Sequence, residues 1–110
     1  MKETIIKPEK KKVANLLRLA RKADRVALGT TAVQNSLKAN KIFILFSGKK
    51  DNRTVRRKRD ELGKADVKVS YFFSEKELSY IFGRNKLTLV SVDDKNFAKG
   101  IKTELEKFKD

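Results

Sequence analysis

The chain contains neither cysteine nor histidine. Without cysteine there is no disulfide and no thiol nucleophile; without histidine the commonest general base is missing, and without either the usual zinc sites cannot form. Cysteine-free composition fits a reducing cytoplasm, the expected compartment. No apolar run approaches the ~20 residues that cross a bilayer. The opening "MKETIIKPEKKK" lacks the apolar core of a signal peptide, so no membrane partner is expected. Neither Gly-x-x-x-x-Gly-Lys nor Gly-x-Gly-x-x-Gly occurs, which leaves nucleotide binding without a motif. No cofactor, metal or small-molecule substrate is therefore expected.

Acidic residues are also scarce: 14 Asp and Glu stand against 28 Lys and Arg, a formal charge of +14. A small domain this basic self-repels unless something anionic lies on it. Nucleic acid is the leading candidate, ahead of an anionic membrane surface. At 110 residues and 39% hydrophobic, the chain has the size and apolar content for one core. It is read as a single domain over 1–110, with 1–7 a loose tail.

Pro8 suits the first turn of a helix, where its missing N–H costs nothing. "KKVANLLRLARKA" then sets Val13, Leu16, Leu17 and Ala20 at helical spacing. "RVAL" reads as a short strand, and "TTAVQNSLKANK" after Gly29 as a helix with Val33 and Leu37 inward. Thr31 and Gln34 there stand at the spacing of a capping box. "KIFILFSG" is continuously apolar and bounded by turn residues, the pattern of a central strand covered on both sides. "KKDNRTVRRKRDELGKAD" is helical but thin in apolar residues; Val55, Leu62 and Ala65 are its candidates for the interior, and Lys58 sits where an inward residue is expected.

"VKVSYFF" is the next strand. "SEKELSYIFG" is a helix with a second capping box, Ser74 to Glu77, and Gly83 at its end. "KLTLVSV" is the last strand, and "NFAKGIKTELEKF" a closing helix with Phe97, Ile101, Leu105 and Phe108 on one stripe. Strands alternating with helices predict an α/β fold. The expected form is a three-layer α/β/α sandwich around a mixed sheet of about four strands.

For catalysis, the adjacent Asp93 and Asp94 at the end of the last strand are the best-placed acids. Their place just before a helix favours a simpler role, complementing its dipole. No catalytic residue is assigned. The basic run "GKKDNRTVRRKRDELGK" says more: eight Lys or Arg face three acids. Helical i,i+4 pairing cannot neutralise so one-signed a run, which favours phosphate attraction over a merely solvated face. Lys49, Lys50 and Arg53 begin it. Such charge gives affinity and salt dependence without selectivity.

Selectivity is sought at "VALGTTAVQNSLKANK". Gly29 can relieve turn strain, admit a phosphate to a helix start, or let RNA approach the backbone. Thr30 and Thr31 offer hydroxyls there. Asn35, one turn on, has the groups to hydrogen-bond a base edge. Arg25 and Lys38 add charge to the same region. Spacing alone does not separate this from ordinary turn chemistry.

These stretches, "LLRLARKADRVALGTTAVQNSLKANKIFILFSGKKDN" and then "VKVSYFFSEKELSYIFGRNKLTLVSVDDKNFAKGI", together resemble the kink-turn RNA-binding ribosomal protein family of the L-seven-Ae and L-thirty-e types. Within it, the bacterial YlxQ-like branch is the nearest. The resemblance runs from about residue 12 to about 102. It is carried by Leu16, Leu19, Ala20, Arg21, Gly29, the apolar strand before Ser47, Leu78, Gly83 and "NFAKGI". It implies an α/β/α fold, no catalysis, and binding to RNA kink-turns or related loops with sheared G·A pairs. It further implies that the helix after Gly29 enters the RNA groove. The usual motif reads Gly-x-Asn-Glu-x-x-Lys; this chain keeps Gly29 and carries Thr31, Ala32 and Asn35 in the other three places.

The resemblance also implies a second contact from the loop Arg84, Asn85, Lys86 and Leu87, with Leu87 touching an extruded nucleotide. The expectation is a non-catalytic, ribosome-associated RNA-binding monomer. Two rivals remain: a substrate-binding module working with an RNA-modifying enzyme, and an assembly factor whose basic face binds an acidic protein.

Overall fold

The computed structural model describes residues 6–48, 53–61, 63 and 67–108, except the side chains of Thr54, Val55 and Lys58. A 3₁₀ turn, Pro8–Lys10, leads into α1 (Lys11–Lys22). There follow β1 (Val26–Leu28), α2 (Thr30–Lys38), β2 (Ile44–Ser47), α3 (Arg53–Glu61), β3 (Val69–Ser70), α4 (Glu75–Phe82), β4 (Leu89–Val92) and α5 (Lys95–Glu106). The predicted alternation is the one observed. The expected inward positions Leu62 and Ala65, and the side chains of Val55 and Lys58, lie outside the described residues.

The four strands form one mixed sheet in the order β1-β4-β2-β3. β4 runs antiparallel to both β1 and β2, and β3 is parallel to β2. β2 and β4 are central, and all eight of their residues are buried. Their side chains divide by parity, because successive residues of a strand face opposite sides. Ile44, Phe46, Val90 and Val92 join Leu28 in the larger core, under α1, α4 and α5. Leu45 and Leu89 join Ala27 and Val33 in a smaller one, under α2. This two-sided burial is why the "KIFILFSG" run is continuously apolar instead of alternating.

Several local expectations hold in detail. Pro8 occupies the first position of the 3₁₀ turn. Val13, Leu17 and Ala20 of α1 are buried. In α4, the Ser74 hydroxyl accepts from the Glu77 N–H (3.1 Å) and the Glu77 carboxylate from the Ser74 N–H (2.8 Å). Gly83 ends that helix in the left-handed conformation at φ 64°.

Three expectations change. Ile6, in the stretch predicted to be a loose tail, is 2% exposed and packs into the larger core; residues 1–5 lie outside the description. Thr31 does not cap α2, because the helix begins at Thr30 with Gly29 as its N-cap, two residues before Thr31. Only Asp94 caps α5, its Oδ2 accepting from the Phe97 N–H at 2.8 Å. Asp93 instead accepts from the hydroxyls of Ser36 (2.7 Å) and Ser91 (2.8 Å), tying α2 to β4 and satisfying a serine that is wholly buried.

Candidate nucleic-acid interface

The pairing register brings three chain segments to one end of the sheet. The Gly29 N–H donates to the Leu89 carbonyl (2.9 Å) and the Gly48 N–H to the Thr88 carbonyl (2.8 Å). The exits of β1 and β2 thus flank the entry to β4, and the loop before β4 lies between them. The start of α4 closes the group: a Cβ on Gly48 would fall 2.5 Å from the Glu75 nitrogen.

At this end the backbone of Gly29 has φ 91° and ψ 166°, a region essentially restricted to glycine. Nothing lies within 4 Å of where a Cβ would stand. Glycine is therefore required by conformation, and the space above it is open. The capping expected of Thr31 is absent, so the N–H groups of Thr30, Thr31 and Ala32 have no hydrogen-bond partner among the described residues. A helix start with free N–H groups favours an anion. Thr31, Asn35 and Lys38, spaced i, i+4, i+7, are exposed along one stripe of α2.

The loop from 83 to 88 has a fixed shape. The Ser79 carbonyl accepts from the Arg84 N–H (3.0 Å) and its hydroxyl from the Leu87 N–H (2.9 Å). Lys86 takes a positive φ of 52°. Arg84, Asn85 and Lys86 are exposed. Leu87 is not: it is 3% exposed and belongs to the larger core. The expected contact of Leu87 with a nucleotide is thereby corrected, because its side chain anchors the loop from inside. Leu87→Ala is expected to cost about 2–5 kcal/mol of stability, read as a fall in denaturation midpoint.

The remaining predicted residues do not all gather here. The Arg25 carbonyl accepts from the Asp93 N–H (2.8 Å), and the Arg25 Nε lies 3.9 Å from Asp94 Oδ1. That is the far end of β1, roughly 13 Å from Gly29 at about 3.3 Å per residue. Lys38, at the last turn of α2, also lies toward that end and connects to Gly29 only through its helix stripe. Arg53 and Arg57 are exposed on α3. The Arg59 guanidinium holds that helix to the entry of β3 by donating to the Val67 carbonyl (2.6 Å). Lys49 and Lys50 lie outside the described residues. Arg84, part of the loop that the resemblance implies as a second contact, stands exposed beside Asn85 and Lys86, and Arg57 belongs to the basic run.

No protein-family model matches the chain, and no curated protein is similar to it in sequence. Solved structures do share its fold. A protein of unknown function from Bacillus halodurans aligns at a TM-score of 0.72 with 18% identity, over 86% of this chain and 97% of that one. The 15.5 kDa RNA-binding protein of Giardia lamblia aligns at 0.65 with 12% identity, over 92% and 90%. One protein of this fold binds RNA. At these identities the likeness establishes the α/β fold of the chain. Among the described residues, no helix is long and apolar enough to cross a membrane.

Proposed function

We propose that this chain is a non-catalytic RNA-binding protein that takes structured RNA of the kink-turn type, in association with the ribosome. The observation that carries the reading is the meeting of the uncapped α2 start with the loop before β4 at one sheet end, on a chain of net charge +14. Backbone N–H groups of residues 30–32 receive a phosphate. Thr31 and Asn35 hydrogen-bond base edges in the groove, the loop at Asn85 and Lys86 contacts the neighbouring strand, and Arg53 and Arg57 of α3 neutralise phosphates. Ala32 carries no acceptor, so recognition rests on Thr31 and Asn35.

The test is binding to a standard kink-turn duplex beside a control with its G·A pairs replaced, both across a salt series. The expected result is preference for the kink-turn, lost in a Thr31→Val, Asn35→Ala double variant. At about 1 kcal/mol per hydrogen bond, that loss is roughly 10- to 30-fold. Equal binding to both duplexes by the unmodified protein overturns the kink-turn assignment and leaves a general RNA-binding surface.

A further inference from the structure

Away from the Gly29 end, α5 borders two open hollows of about 510 and 280 Å³ that share Lys102 and Glu106 along their rims. The first lies between α5 and Phe43, the second between α5 and the β3 segment with Phe108. Each has one well-exposed phenyl ring: Phe43 is 41% exposed and Phe108 42%. Single apolar residues on a surface are ordinary. Here, though, each ring stands in a hollow edged by lysines. Lys95, Lys99 and Lys102 recur at i, i+4, i+7, so they share one face of α5. None of the three has an ion pair among the described residues. Glu106 is the one acid lining either hollow.

We infer that this lysine-edged aromatic groove is a second RNA contact, for single-stranded RNA. Bases stack on phenyl faces whatever their identity, while a row of lysines follows the phosphates. No side-chain amide lines either hollow, and the two lining hydroxyls serve the fold: Thr103 donates to the Lys99 carbonyl (3.0 Å) and Ser70 accepts from the Phe72 N–H (3.3 Å). The groove therefore discriminates strand form and not sequence. A peptide of Asp and Glu suits the lysines but gives the two rings no aromatic face to stack on. The Phe43 N–H donates to the Val92 carbonyl (2.9 Å), at the end of β4 opposite to the Leu89 that receives the Gly29 N–H. The two surfaces thus lie at opposite ends of the sheet, and one RNA meets both only with an unpaired extension. The inference shares with the proposed function the premise that RNA is the partner, and is independent of the kink-turn assignment.

The experiment uses the full chain and a fluorescein-labelled oligouridine of about ten nucleotides, with a blunt kink-turn duplex alongside. Phe43→Ala is expected to weaken oligouridine binding by about 5- to 140-fold, the ~1–3 kcal/mol per stacked base at 1.4 kcal/mol per tenfold. Lys99→Gln with Lys102→Gln is expected to lower the salt slope by about 1.4, two phosphates at about 0.7 each. These lysines are exposed, so the pair decides the question even if Phe43→Ala folds poorly. Binding of the blunt duplex stays the same in both variants.

Oligouridine binding that survives the groove variants but falls in the Thr31→Val, Asn35→Ala protein overturns the inference, since one surface then serves both. So does an absence of oligouridine binding, with polyglutamate captured instead through Lys99 and Lys102. Failure of the kink-turn duplex to bind, with oligouridine still held through Phe43, leaves the groove standing and removes the kink-turn reading alone.

Discussion

Raising salt from about 50 to about 200 mM is expected to weaken binding of a kink-turn duplex by roughly 100- to 500-fold. Five of the exposed cations along the α2 stripe, α3 and the loop before β4 are Lys38, Arg53, Arg57, Arg84 and Lys86. Each neutralised phosphate releases condensed counterions, and log affinity falls by about 0.7–0.9 per phosphate for each log unit of salt. About five contacts over 0.6 log units give the stated loss. Arg57→Gln with Arg84→Gln should lower the slope by about 1.4–1.8 units and weaken all RNAs alike, because phosphate contacts carry no sequence information. A slope near zero, measured by fluorescence anisotropy at several salt concentrations, removes the electrostatic mechanism. Preference for the kink-turn over its control is a ratio and should change little across the same series.

Gly48→Ala is expected to destabilise the fold by about 3 kcal/mol and lower Tm by roughly 10–20 °C. The new methyl would meet three backbone atoms of the α4 start, at 2.5 Å from the Glu75 nitrogen, 2.7 Å from its Cα and 2.9 Å from the Ser74 carbonyl carbon. Backbone atoms cannot rotate aside as a side-chain tip does, so α4 must move as a unit. It is held in place by its capping box, by Leu78 and Ile81 in the larger core, and by the Arg18 Nε donating to the Ile81 carbonyl (3.4 Å). Thermal unfolding followed by circular dichroism reads the loss, and a Tm within 3 °C of the unmodified protein would show that β2 and α4 approach less closely. Gly29→Ala has a different origin. It has room for the methyl but not the dihedral angle, and should cost about 1–3 kcal/mol of strain concentrated at the α2 start. Its effect on RNA binding should exceed its effect on Tm, because that strain re-aims the residue 30–32 amides.

Element type was legible in the sequence wherever local chemistry decides it. Pro8, the Ser74–Glu77 reciprocal cap, Gly83, and the helical spacing of Val13, Leu17 and Ala20 each act through neighbours a few residues away, and each appears as expected. The uninterrupted apolar run around Ile44–Phe46 announced a strand covered on both faces, since half-covered strands alternate. The count and sign of charge needed no fold at all.

What tertiary structure decided was which distant segments meet. The antiparallel pairing of β4 with both β1 and β2 brings Gly29, Gly48 and Thr88 together, and sends Arg25 to the opposite end although it precedes Gly29 by four residues. No local pattern encodes that register; it comes from burying both faces of β4 at once. Long-range packing likewise turned Leu87 from an exposed contact into a core anchor, drew Ile6 into the interior, and gave Asp93 the hydroxyls of Ser36 and Ser91 to hold. Phe43 and the lysines of α5 lie more than fifty positions apart in the chain. Their groove exists because α5 packs beside the entry to β2, a contact written in three-dimensional complementarity rather than in any stretch of the sequence.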